Sequence, residues 1–234
     1  MKKLLKYLFL FFPVILNSQE AVFQYQLGYG SFQLKDVKAM FDRVGLTFAK
    51  TTEYFPSNYL YSPSLGIISG QHYCGLKVTL FSTGARSHIA DYSGESKADM
   101  IVNGNRLGFF YRYNIPHESK WNMYLQFEPG FVFSKLKIYE ELVIGRRKII
   151  DEILHFKSKG MYFEPSMGFR YKPLNWLHLA LGCGYEIDAF GKMNLSYASN
   201  SNIKYNGNDK IKWNGIRLYA GLILVIPNDN QNSM

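Results

Sequence analysis

Beyond residue 20 the chain has no apolar run long enough to cross a bilayer as a helix, which takes about 20 residues. It has only two cysteines, Cys74 and Cys183, too few for a disulfide framework or a thiolate metal site. Cys183 falls in mid-strand and Cys74 beside a turn signal, so both are read as unpaired. The histidines His72, His88, His117, His155 and His178 lack metal-site spacing, and Asp91, Glu95 and Asp99 lack that of a calcium loop. Asn206-Gly207-Asn208-Asp209 is a turn signature, and no phosphate-binding glycine pattern occurs. No cofactor or metal is expected. Acidic residues are also scarce, 18 against 27 Lys and Arg, which gives a net charge of +9. The basic residues form no cluster with interleaved stacking aromatics, which argues against nucleic acid as a partner.

The beginning of the chain is distinctive. Met1-Lys2-Lys3-Leu4-Leu5-Lys6, an apolar stretch from Tyr7 to Leu16, and Asn17-Ser18-Gln19 read as a secretory signal peptide over residues 1–19. Its removal takes three lysines and leaves a charge of about +6, suited to anionic lipid headgroups or lipopolysaccharide phosphates. Aromatics make up 17% of the chain while mean hydropathy is only −0.16. A membrane protein of such ordinary hydropathy is what alternation produces. From Trp176 to Ile187 the odd positions Leu177, Leu179, Leu181, Cys183, Tyr185 and Ile187 are apolar, while His178, Ala180, Gly182, Gly184 and Glu186 are small or polar.

The same period of two marks eight strands, roughly 22–33, 58–71, 74–84, 99–114, 120–137, 159–172, 176–190 and 212–226. Three connections are short and four are long (34–57, 85–98, 138–158 and 191–211). Short turns at one end and long loops at the other predict an all-β fold: an antiparallel transmembrane barrel of eight strands with short loop helices. Residues 20–234 are read as one barrel domain, monomeric and placed in the outer membrane.

The alternation assigns faces. The lipid side receives Phe23, Tyr25, Leu27 and Tyr29; Leu76, Val78 and Leu80; Leu107, Phe109 and Tyr111; Met123, Leu125, Phe127, Phe131 and Phe133; Phe163, Met167 and Phe169; Ile216, Leu218, Leu222 and Leu224. Tyr113, Trp121 and Tyr171 fall at the short-turn rim, where an aromatic girdle belongs. The inner face receives Lys77, Arg106, Arg112, Glu128, Glu164, Arg170, His178, Glu186 and Arg217, interleaved with glycines that make room for them. In so narrow a barrel charges must pair, and Glu164, Glu186 and Arg217 are placed to form a salt-bridge group. Pro129 and Pro165 share the apolar parity and predict bulges or bends. Leu34, Val37, Met40, Phe41 and Val44 at helical spacing predict a short surface helix capped by Asp36. Ile149, Ile150, Ile153 and Leu154 fit either an amphipathic helix at the membrane surface or an extension of the strands.

With its leader, strands and loop asymmetry, the chain resembles small outer-membrane β-barrels of the OmpA-anchor and OmpX kind. Residues 29–38, 55–59 and 82–94 look like segments of uncharacterised exported barrel proteins. The resemblance implies a fold and no activity. Ile226-Pro227 and a polar tail stand where such barrels commonly end on an aromatic residue.

Ser87-His88 with Asp91 is the nearest approach to a hydrolytic set, but adjacent strand residues point to opposite faces. The plainer reading is a packed surface loop with an Arg86–Asp91 pair. The favoured function is non-enzymatic: a structural or surface-interaction role exerted through four long extracellular loops toward an unknown extracellular partner. A narrow transport channel is the alternative, and a lipid-modifying enzyme the next. A soluble lipocalin-type barrel is the rival fold and predicts the opposite faces.

Overall fold

The computed structural model describes residues 20–44, 50–92, 94–116, 120–145, 147–199 and 207–226. The signal-peptide reading of residues 1–19, His117, Asn206 and the polar tail lie outside the described residues. The strands are β1 (Glu20–Gly30), β2 (Lys50–Tyr54), β3 (Asn58–Ser69), β4 (His72–Asp91), β5 (Gly94–Asn114), β6 (Trp121–Ile144), β7 (Arg147–Tyr171), β8 (Leu177–Ala198) and β9 (Gly215–Ile226). One helix, α1 (Lys35–Val44), lies between β1 and β2.

Every strand pairs antiparallel with its neighbours, and β1 pairs with both β3 and β9, which closes the ring. The short β2 pairs with Ala85–His88 of β4, beyond the stretch that β3 covers, so β2 and β3 share one position. Among the described residues the ring therefore has eight positions. A closed ring leaves no strand edge unpaired, the condition for crossing a lipid layer.

Side-chain polarity follows the alternation. The expected lipid-facing residues, from Phe23 and Leu76 through Phe131 to Leu224, are exposed on the outside, with Tyr113 and Tyr171 half-buried at the rim. The rival soluble barrel would have buried them. On β6 the apolar outer face runs from Trp121 to Phe133, which spans about 30 Å for a tilted strand and matches a bilayer core. At the rim that carries the short turns, Trp121 stacks on Tyr171 with ring centroids 4.5 Å apart. Tyr29 and Tyr59 meet edge-on at 5.8 Å toward the opposite rim.

Two of the four expected long loops are in fact hairpins. β4 and β5 pair from Asp91↔Gly94 onward, and β6 and β7 from Ile144↔Arg147. Gly145 supplies the left-handed φ of 53° that the second hairpin's turn needs. Ile149, Ile150, Ile153 and Leu154 therefore extend β7 and form no helix. Cross-strand pairs such as Tyr139↔Ile153 and Leu142↔Ile150 give these apolar residues partners above the membrane.

Other expectations change in detail. Pro129 and Pro165 produce no register shift: Gly108↔Gly130 and Tyr111↔Phe127 flank Pro129 in one register. Phe163↔Ile187 and Ser166↔Gly184 do the same around Pro165. Each proline removes a donor from the ladder on one side, and the strand continues. The register shifts lie toward the loop rim, at Thr51/Glu53, Leu142/Val143, His155/Phe156 and Ser158/Gly160. Helix α1 is the expected short helix, with Lys35, Ala39 and Asp42 exposed, and its apolar stripe of Val37, Met40 and Phe41, with Leu34, is buried in the mouth of the barrel. Leu34 precedes it, and Asp36 sits in its first turn accepting the Lys210 amide at 2.9 Å. Trp213, read as part of the last strand, lies just before it and turns inward.

Candidate functional site

The candidate site is the charged interior at mid-height. Arg106, Glu128, Glu164, Glu186 and Arg217 are almost wholly buried, with relative exposures of 0–1%. Arg106 on β5 donates through Nη1 to Glu164 on β7 at 2.8 Å and to Glu186 on β8 at 2.5 Å. Arg217 on β9 donates to the same Glu186 oxygen through Nε at 3.0 Å and Nη2 at 2.6 Å. Since β5 and β9 stand across the ring from each other, the Arg106–Glu186–Arg217 chain spans the lumen. Arg217 also donates to the carbonyls of Ser31 and Trp213, tying the network to the chain above it.

A second chain crosses at the same level. Glu128 and Glu164 are Cα partners on β6 and β7, a repulsive placement for two buried carboxylates unless each has its own cation. Lys77 pairs with Glu128, while Arg106 serves Glu164. Tyr162 donates to Glu128 and Tyr219 to Glu164, each at 2.6 Å. The cations also lie over aromatic faces: Arg106 is 4.9 Å from the Tyr162 ring centre, Lys77 4.9 Å from Tyr219, and Arg217 4.9 Å from Phe32.

Nearer the short turns a smaller polar group fills the lumen. Arg112 donates through Nε and Nη2 to Gln126 Oε1, at 2.9 and 2.7 Å, and stacks over Tyr124 at 4.2 Å. The Tyr124 ring lies directly over Gly168 and Gly182, where an added Cβ would collide with it. Arg170 and His178 are buried at this end, away from the mid-height carboxylates.

Above the charged level the interior turns apolar. Trp213, Phe32, Phe81, Leu60, Met100 and Leu136 pack with the apolar face of α1. Trp213 meets Phe81 at 4.6 Å and Phe32 at 5.1 Å, and its indole donates to Ser134 Oγ at 2.8 Å. Asp188 Oδ2 accepts the Trp213 amide at 2.7 Å, which holds the indole inward.

Of the residues expected to form a salt-bridge group, Glu186 and Arg217 meet, while Glu164 binds Arg106. Arg112 joins that network through Gln126, whose amide donates to Glu128 at 3.4 Å, and Arg170 lies farther toward the short-turn end. Reading for charge alone missed Tyr162, Tyr219 and Trp213, although Tyr162 shares parity with Glu164 and Tyr219 with Arg217. Ser87 is buried while the side chain of His88 points outward to Glu95 at 2.9 Å, so the two do not face one another. Arg86 pairs with Asp99 at 2.7 Å, and Asp91 accepts the Gly94 amide at 3.1 Å. Cys74 and Cys183 are free thiols.

The deciding observation is the inversion, with charge inside and apolar side chains outside a closed ring. The chain is a transmembrane β-barrel. No protein-family model and no curated protein matches it. Among solved structures it is similar to Neisserial surface protein A, at 15% identity over 88% of this chain and 96% of that one, with a TM-score of 0.37. It is also similar to Ail, the attachment invasion locus protein of Yersinia pestis, at 8% identity over 89% and 98%, TM-score 0.38. The outer membrane protease OmpT from Escherichia coli is a further similar structure, at 10% identity over 90% and 97%, TM-score 0.38.

Proposed function

We propose that the protein is an outer-membrane barrel with a closed lumen, non-enzymatic, acting by structure and surface interaction at its loop-bearing rim. The observation that carries this reading is the filling of the lumen at three successive levels: the Arg112–Gln126 group, the Arg106–Glu186–Arg217 chain, and the Trp213 plug. An eight-stranded barrel has room inside for side chains and little else. The outer rim, by contrast, projects two long hairpins about 20–30 Å beyond the apolar band, judged from strand rise. Both ends of the barrel lie at the short-turn rim, which supports a periplasmic location for those turns and an extracellular one for the hairpins. The role is that of a monomeric scaffold held by outer-membrane lipid and lipopolysaccharide.

Planar-bilayer recording tests the reading. The expected result is no steady conductance from the folded protein. A steady current that neutralising Glu186 or Arg217 abolishes would replace it with a channel.

A further inference from the structure

We propose that the outer wall of β6, β7 and β8 carries a docking site for the phosphates of an outer-leaflet glycolipid, which rests on the outer-membrane reading above. On β6 the apolar face ends at Phe133, and the next outward residues are Lys135 and Lys137. On β7 it ends at Met161, followed outward by Lys159, Lys157 and His155. Lys135 and Lys157 are Cα partners, Lys137 faces His155, and Phe133 faces Lys159. Like charges placed directly opposite each other destabilise a sheet. An anion held between them turns that repulsion into attraction.

No ion pair involves these four lysines among the described residues, although Lys97, Lys148 and Lys77 all have carboxylate partners. Three of the lysines, Lys135, Lys137 and Lys157, line a depression of about 400 Å³ together with His155, Phe156, Ser196 and Tyr197. Tyr197 brings a hydroxyl group suited to sugar and phosphate oxygens, while the Ser196 hydroxyl donates to the His155 carbonyl at 3.0 Å and shapes the wall. Lys159 also sits 6.0 Å from the Phe133 ring centre, at the seam between apolar and basic surface.

Height on the wall selects the occupant. One or two outward positions farther up, the same face carries Asp99, Glu141 and Asp151, neutralised by Arg86, Lys97 and Lys148 at 2.7–3.4 Å. The uncompensated charge is thus a narrow band at the level of lipid headgroups, continuous with the acyl-facing surface of Phe131, Phe133, Met161 and Phe163. A phosphate anchored to acyl chains satisfies both surfaces at once.

The test uses the mature protein in mixed micelles and measures retention by native mass spectrometry. The probes are bisphosphorylated lipid A, the same lipid dephosphorylated, and inorganic pyrophosphate. Bisphosphorylated lipid A should be retained, with the triple variant Lys135→Gln/Lys157→Gln/Lys159→Gln binding it roughly a hundredfold more weakly. Lys120→Gln/Lys172→Gln at the other rim should leave retention unchanged, and Lys135→Arg/Lys157→Arg should preserve it. Equal retention of the dephosphorylated lipid, or pyrophosphate binding as tightly as lipid A, would overturn the proposal, the latter in favour of a soluble polyanion. If the triple variant fails to show heat-modifiable migration, salt titration of the unaltered protein decides: retention should fall steeply with salt, and a flat response overturns the site. Failure of the unaltered protein to assemble in lipid would instead overturn the outer-membrane reading.

Discussion

The charged mid-level and the apolar plug above it are both buried inside one barrel, yet they are held in opposite ways. The mid-level ion pairs are made entirely of strand residues: Lys77 and Arg106 reach carboxylates two strands away, and Arg217 reaches Glu186 on the neighbouring β8. The plug joins strand residues such as Phe81, Met100 and Leu136 to side chains from between strands, on α1 and the segment carrying Trp213, folded back into the mouth. The first brings ions out of water and is stable only while the pairing is complete. The second buries apolar surface, and its cost of disruption scales with the hole left behind. A single deletion should therefore unbalance the mid-level and merely loosen the plug.

Glu186→Ala gives the largest expected effect. Two guanidinium groups share this carboxylate, so its loss should destabilise the barrel by about 3–5 kcal/mol, read as a lower midpoint of heat-modifiable migration. The quadruple replacement Arg106→Met/Glu164→Gln/Glu186→Leu/Arg217→Leu removes two cations and the two carboxylates they serve together and should cost clearly less than Glu186→Ala. If the single change proves the milder, the mid-level does not depend on completeness.

Trp213→Ala should cost about 3 kcal/mol through the cavity it leaves. Its distinguishing sign is local: residues 31–44 should become protease-sensitive while the transmembrane strands stay resistant. Uniform loss of resistance would place the plug and the barrel in one cooperative unit.

The smallest effect belongs to the β6–β7 hairpin above both levels. Glu140 and Glu152 are Cα partners there, and burial, followed by the Glu152 charge, raises the Glu140 carboxyl above its ordinary range. A raised folded-state value means that the charged form is disfavoured in the hairpin. The penalty is absent below the ordinary carboxylate range and grows as pH rises through it. Glu140→Gln should slow amide exchange across residues 138–154 at pH 7 and change nothing at pH 4. Equal protection at pH 7 would mean that the pair is fully solvated.

Much of this was legible in the residues. Strand parity alone separated Phe131 from Val132 and Leu218 from Arg217, because successive strand side chains point to opposite faces. The apolar spacing of Leu34, Val37, Met40 and Phe41 marked a helix, but not that its stripe would enter the barrel mouth. The prolines signalled a missing donor, yet the register passes through unshifted because neighbouring pairs on both sides hold it. Ile149 to Leu154 fitted two local structures equally well, and only pairing with Ile138 to Leu142 decided for strand.

The sequence by itself determined that the barrel is inside-out and which strand side chains face inward, since a period of two is a local property. Only the tertiary structure decided that Arg106 bridges Glu164 and Glu186, that Trp213 closes the mouth, and that Lys135 faces Lys157. Those meetings depend on the register between strands and on where the long connections fold back, and neither is encoded in the alternation of any one strand.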